Sequence, residues 1–162
     1  MTVEKIYWDS DCFLGHLKAD AGKAEKCDGV IQRAERGEVL IITSALTLAE
    51  VLWMRGGPRL SKDKAELVQK FFRRSYIRVH NVTRKISEAA QVLVWQDDIK
   101  PKDAIHVATV LHLAVDALET FDKKLIGKSG TVGSPLLCIR EPAAASQGRF
   151  NLPAPDHLPR AH

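Results

Sequence analysis

Residues 4–17 read EKIYWDSDCFLGHL. Ile6-Tyr7-Trp8 has the bulky apolar make-up of a buried strand, yet the run breaks into Asp9-Ser10-Asp11 before apolar residues resume at Cys12. A carboxylate at the end of a buried strand is costly unless it has a partner or a chemical role. The stretch therefore predicts a strand over residues 3–9, a short helix over 12–18, and an acid where the two meet.

The same alternation continues outward. Residues 26–36 read as a helix ending near Gly37, and 39–43 as a second strand. Ser44 is a good N-cap for a helix running to about residue 54, where Gly56-Gly57-Pro58 stops it. Ser61 caps another helix carrying Leu67, Val68, Phe71 and Phe72, and 76–82 reads as a third strand. Thr83 opens a helix whose Ile86, Ala89, Ala90 and Leu93 fall at i, i+3, i+4 and i+7. Pro101 suits the first turn of the helix carrying Ala104, Ile105 and Ala108. Short strands over 117–120 and 136–140 close the series. Strands alternating with helices predict an α/β fold, a three-layer α/β/α arrangement around a central, mainly parallel sheet. One domain over 1–140 accounts for this pattern. The segment 141–162 holds four of the seven prolines and no periodicity, and is expected to be extended or disordered.

With 162 residues, 45% of them hydrophobic, the chain can bury a substantial core. No run approaches the ~20 apolar residues of a membrane span, and the N-terminus lacks a signal-peptide pattern, so a cytoplasmic protein without a membrane partner is expected. Cys12, Cys27 and Cys138 are scattered, which suggests neither a disulfide framework nor a zinc site. The net charge of +4 comes from the first 140 residues, with basic side chains crowded over 62–85 and again at Lys100, Lys102, Lys123, Lys124 and Lys128. Such crowding favours a polyanionic partner, although a solvated face has the same composition.

Ligands of open α/β sheets bind beyond the carboxyl ends of the strands, where Asp9 and Asp122 both fall. Glu50, on the helix after the second strand, and Asp103, in the first turn after Pro101, can reach the same rim. Four carboxylates in one cleft repel one another, and a divalent cation relieves that repulsion. An all-oxygen set suits Mg²⁺ or Mn²⁺, a centre able to activate water and neutralise a phosphodiester.

IYWDSDCFLGHL, TSALTLAEVL, KPKDAIHVATVL and LETFDKKL, in that order, resemble the four acidic blocks of PIN-domain nucleases, and specifically of the small VapC-type toxins. The resemblance spans residues 3–140. It implies a PIN-like fold and a metal-dependent endoribonuclease, in which Asp9 and Asp103 are the principal metal ligands and Glu50 and Asp122 bind directly or through water. Ser10 and Thr120 match the hydroxyl positions of the first and last blocks. Asp11 departs from the pattern, either adding a ligand or, as favoured here, capping the following helix. The resemblance further implies a homodimer, an RNA substrate and a neutralising antitoxin, and Arg73, Arg74, Lys102 and Lys123 are the candidate contacts to RNA phosphates.

Each acid alone has a structural explanation as a cap or a solvated helix residue; their common rim is what favours chemistry. His106 is expected to be a packed, hydrogen-bonded histidine, and Trp8, Trp53 and Trp95 to be core or interface residues. Two rivals stand beside the nuclease: a haloacid-dehalogenase-type phosphatase with Asp9 as nucleophile and Asp11 as acid/base, and a non-catalytic PIN-like RNA-binding module.

Overall fold

Ile6, Tyr7 and Trp8 lie in a strand with no exposed surface at all three residues, the environment of a strand paired on both edges and covered on both faces. In a computed structural model describing residues 2–53 and 56–143, this strand is β1 (Glu4–Trp8). It is followed by α1 (Ser10–Leu17), α2 (Ala24–Glu35), β2 (Val39–Ser44), α3 (Ala45–Glu50), α4 (Lys62–Phe71) and β3 (Ile77–His80). Next come α5 (Arg84–Asp97), α6 (Pro101–Leu113), β4 (Ala117–Glu119), α7 (Lys123–Ile126) and β5 (Ile139–Arg140).

The strands form one five-stranded sheet in the order β3-β2-β1-β4-β5, and every pairing is parallel. The mainly parallel expectation thus becomes wholly parallel among the described residues. Ile6 lies opposite both Ile41 and Ala117, which places β1 at the centre. Because side chains alternate across a strand, Ile6 and Trp8 join a core with Phe13, Cys27, Val30 and Phe72 on one face. Tyr7 joins Ile42, Ile86, Val107 and Leu118 on the other. This two-sided burial is the three-layer arrangement.

Three local details differ from expectation. The third helix ends at Glu50 and not near residue 54, which lies outside the described residues together with residue 55. The fifth strand is only Ile139–Arg140, and α7 is a single turn too short to show a periodicity. The tail from residue 144 onward, with the expectation placed on it, lies outside the described residues.

Candidate active site

Strand order reverses at β1: β2 and β3 build outward on one side, β4 and β5 on the other. The carboxyl ends of β1 and β4 therefore flank a topological switch point, the crevice where α/β sheets bind ligands. Asp9 follows β1 and Asp122 lies just beyond β4. Asp9 is the N-cap of α1: it is 6% exposed, and one carboxylate oxygen accepts from the Cys12 N–H at 3.3 Å. The other accepts from the Thr120 hydroxyl at 2.5 Å. The same hydroxyl accepts from the Asp122 N–H at 3.1 Å, so one buried threonine joins the two acidic loops. Asp122 caps α7, its Oδ1 accepting from the N–H groups of Lys124 (2.8 Å) and Leu125 (3.2 Å).

Glu50, the last residue of α3, is held from the facing helix. His106 Nε2 lies 2.8 Å from Glu50 Oε1, and His106 Nδ1 lies 2.6 Å from the Tyr7 hydroxyl. Burial pushes the Tyr7 phenol up, so it keeps its proton and donates to Nδ1. That assigns the Nε2–H tautomer, which donates to Glu50. His106, 2% exposed, is the packed and hydrogen-bonded histidine expected, and its partner is one of the four acids.

Asp11 corrects an expectation. The cap of α1 is Asp9, and Asp11 lies inside the first turn. Burial raises the Asp11 carboxyl, Lys23 lowers it, and the charges of Asp122 and Glu50 raise it further. Asp103, in the first turn of α6, is likewise raised by burial, then by Asp122, Glu50 and Asp11. The Asp9 carboxyl is pushed up to about 6, chiefly by burial, with Asp11 adding to the rise and Thr120 opposing it. Asp9, Asp11, Glu50, Asp103 and Asp122 thus share one electrostatic neighbourhood, with Asp11 an additional member.

Against known proteins, the PIN domain family profile matches residues 6–129, most of the chain. The chain belongs to the PIN-domain family. PIN domains are generally nucleases and typically use divalent metal ions. Among solved structures, this PIN domain is similar to VapC20 of Mycobacterium tuberculosis, a sarcin-ricin-loop-cleaving toxin. The identity is 20%, with 78% of this chain and 96% of that one covered and a TM-score of 0.60. A toxin-antitoxin complex from Klebsiella pneumoniae aligns at 18% identity over 74% of this chain and 88% of that one, with a TM-score of 0.56. FitAcB from Neisseria gonorrhoeae aligns at 14% identity over 85% and 97%, with a TM-score of 0.55. At these identities the likeness is one of fold. No curated protein matches in sequence. Membership in the PIN family leaves the phosphatase alternative without support.

Among the described residues, no three His, Cys, Asp or Glu side chains stand close enough to hold a metal ion as they are. Protein groups occupy the acids of the PIN domain instead: Thr120 and an N–H hold Asp9, His106 holds Glu50, and two N–H groups hold Asp122. The donor chemistry nevertheless fits a hard divalent cation. The acids offer oxygen alone, and at Asp11 and Asp103 neighbouring carboxylates raise the pKa, a repulsion that an added positive charge reverses.

Basic candidates divide between the two ends of the sheet. Lys102 and Lys123 lie in the first turns of α6 and α7, next in sequence to Asp103 and Asp122. Arg73 and Arg74 precede β3 at the end where strands begin; Arg74 is 3.6 Å from Glu35 and 3.2 Å from the Tyr76 hydroxyl. That contact holds Arg74 away from the acids, whereas Arg73 lines a pocket with Leu48, Ala49 and Leu52 around α3. Trp8 is core, whereas Trp53 and Trp95 are 66% and 76% exposed.

Sequence reasoning missed Glu119. Fully buried in β4, it accepts from Trp8 Nε1 at 2.8 Å and faces Arg140 at 3.4 Å, and burial pushes its carboxyl up to about 7. The acid immediately precedes Thr120 and ties the ends of β1 and β4 together. A lone acid in the apolar ALE of a short strand was the available signal.

Proposed function

We propose that this PIN domain is a Mg²⁺- or Mn²⁺-dependent endoribonuclease, the toxin of a toxin-antitoxin pair, acting as a homodimer in the cytoplasm. The observation that supports this reading is the electrostatic neighbourhood that Asp9, Asp11, Glu50, Asp103 and Asp122 share, with Asp9 and Asp122 following the adjacent strands β1 and β4. Asp9 and Asp103 would hold the cation, with Glu50 and Asp122 bound directly or through water. When bound, the ion supplies water activation and neutralises charge on the phosphodiester.

The chain's own residues position this apparatus. Thr120 orients Asp9 and the loop carrying Asp122 with a single hydroxyl. Tyr7 and His106 fix the Glu50 carboxylate from beneath. Ser10, 6% exposed, begins α1 directly after Asp9. The toxin assignment draws on the toxin folds above, and an antitoxin segment would cover the cleft and set an Arg or Lys against the acids. The homodimer draws on the exposed apolar side chains Leu48, Trp53 and Leu67, at 39%, 66% and 66% exposure, around α3 and α4.

The test is cleavage of varied RNAs by the purified chain with Mg²⁺, with Mn²⁺ and with EDTA, alongside Asp9→Asn and Asp103→Asn. Metal-dependent cleavage lost in both variants is the expected result. Cleavage retained in both variants removes the assignment, and tight RNA binding without cleavage under any metal favours a binding module.

A further inference from the structure

Beside the acids, a cleft of about 170 Å³ lies between the loop leading into α6 and the turn of α7, lined by Asp98, Lys100, Asp103, Asp122, Lys124 and Lys128. Its floor is apolar, with Ile99 and Leu125 both buried. Asp98, at the end of α5, adopts the left-handed conformation that Asp tolerates better than most residues, and so turns the chain sharply into this wall. Three ammonium groups and three carboxylates line one small cleft, yet among the described residues Lys100, Lys124 and Lys128 form no ion pair. Lys128 is half-buried on the wall of this cleft.

Another cation stands near the acids. Lys23, in the turn before α2, lies 5.2 Å from the centre of the Phe121 ring and lowers the Asp11 carboxyl through its charge. Phe121 sits between Thr120 and Asp122, so Lys23 stands beside the loop that carries Asp122.

We infer that this lysine-lined cleft is the subsite for the RNA phosphate next to the scissile bond. Lys124 and Lys128 are its principal contacts, Lys100 stands at its mouth, and Lys23 contacts the RNA strand beside the loop that carries Asp122. This deepens the nuclease reading and rests on it. Arg74 takes no part, because it lies beside Glu35 at the opposite end of the sheet. The separation of charges within the cleft suits such a subsite, since carboxylates are left for a cation and ammoniums for phosphate, each unneutralised by the other.

The experiment measures anisotropy of a 5′-fluorescein-labelled, mixed-sequence, single-stranded RNA 12-mer with the full chain in EDTA, where binding is read without cleavage, from 0.05 to 1 M salt. The proteins are wild type, Lys124→Gln with Lys128→Gln, Lys23→Gln alone, and Arg36→Gln with Arg74→Gln as an equal loss of charge at the far rim, where β2 and β3 begin. Two lost phosphate contacts should reduce the salt slope by about 1.4, equivalent to roughly 25-fold weaker binding at 0.1 M that converges with wild type near 1 M. Lys23→Gln should reduce the slope by about 0.7, and the far-rim pair should leave it unchanged. Thermal melts check that each variant is folded, and the Lys→Arg pair at 124 and 128 should restore the slope. The proposal is overturned if the cleft variant binds as wild type does, if the far-rim pair loses as much, or if wild type does not bind the RNA. Should the cleft variant behave as expected while wild type never cuts, the subsite stands and the nuclease reading falls.

Discussion

Replacing Asp9 by Asn should inactivate the protein and, without metal, make it more stable. The Asp9 carboxyl is lifted from the ordinary 3.8 to about 6, first by burial and then by the nearby Asp11 charge, against the Thr120 hydroxyl and the Cys12 N–H that favour its ionised form. With the folded pKa above the unfolded one, the stabilising contribution is complete below about pH 4 and is lost as pH rises through about 6. At about 1.4 kcal/mol per pH unit, ionised Asp9 costs the fold about 3 kcal/mol near pH 8. Asn keeps the shape, and its single oxygen can still cap the Cys12 N–H while its amide N–H turns to the Thr120 hydroxyl as donor, so it escapes part of that cost. In EDTA, urea unfolding followed by circular dichroism should find Asp9→Asn about 1 to 3 kcal/mol more stable than wild type at pH 8, with the difference shrinking toward zero at pH 4. Added Mg²⁺ should narrow or reverse the ranking, because ligand binding to the native state stabilises the protein that holds the ion. A variant less stable than wild type at pH 8, or a gain identical at pH 4 and pH 8, refutes the electrostatic argument.

Further outcomes follow from other contacts. His106→Phe leaves the Tyr7 hydroxyl and Glu50 without their shared partner and should cost about 2 to 4 kcal/mol in a urea melt, with cleavage falling more than tenfold. Thr120→Val removes the donor that holds down the Asp9 pKa; stability should drop by about 1 to 3 kcal/mol at pH 8 and by less at pH 5, where Asp9 is mostly protonated. Glu119, whose carboxyl burial lifts from 4.5 to about 7, makes wild type lose stability as pH rises between those values, so Glu119→Gln should flatten the decline between about pH 5 and 7 in thermal melts. Trp53→Glu combined with Leu67→Glu should shift light scattering at micromolar protein from dimer to monomer; scattering that finds wild type monomeric removes the homodimer from the proposal.

Much of this architecture was legible in the chain itself. Apolar runs at strand and helix periods, with Ser44, Ser61 and Thr83 as N-caps, determined the alternation of elements, because these signals act over a few neighbouring residues. The order of the acidic blocks pointed to the rim where Asp9 and Asp122 lie. Only tertiary structure decided that Asp9 and not Asp11 caps α1, since both are sound capping residues and only the path of β1 chooses between them. It also decided that His106 serves Glu50, a pairing across 56 residues of sequence with no local signature. The basic residues divide for the same reason. Arg74, Lys124 and Lys128 are alike in composition, but parallel strands send the residues before a strand and those after it to opposite ends of the sheet, so the lysines line a cleft with Asp103 and Asp122 while Arg74 meets Glu35.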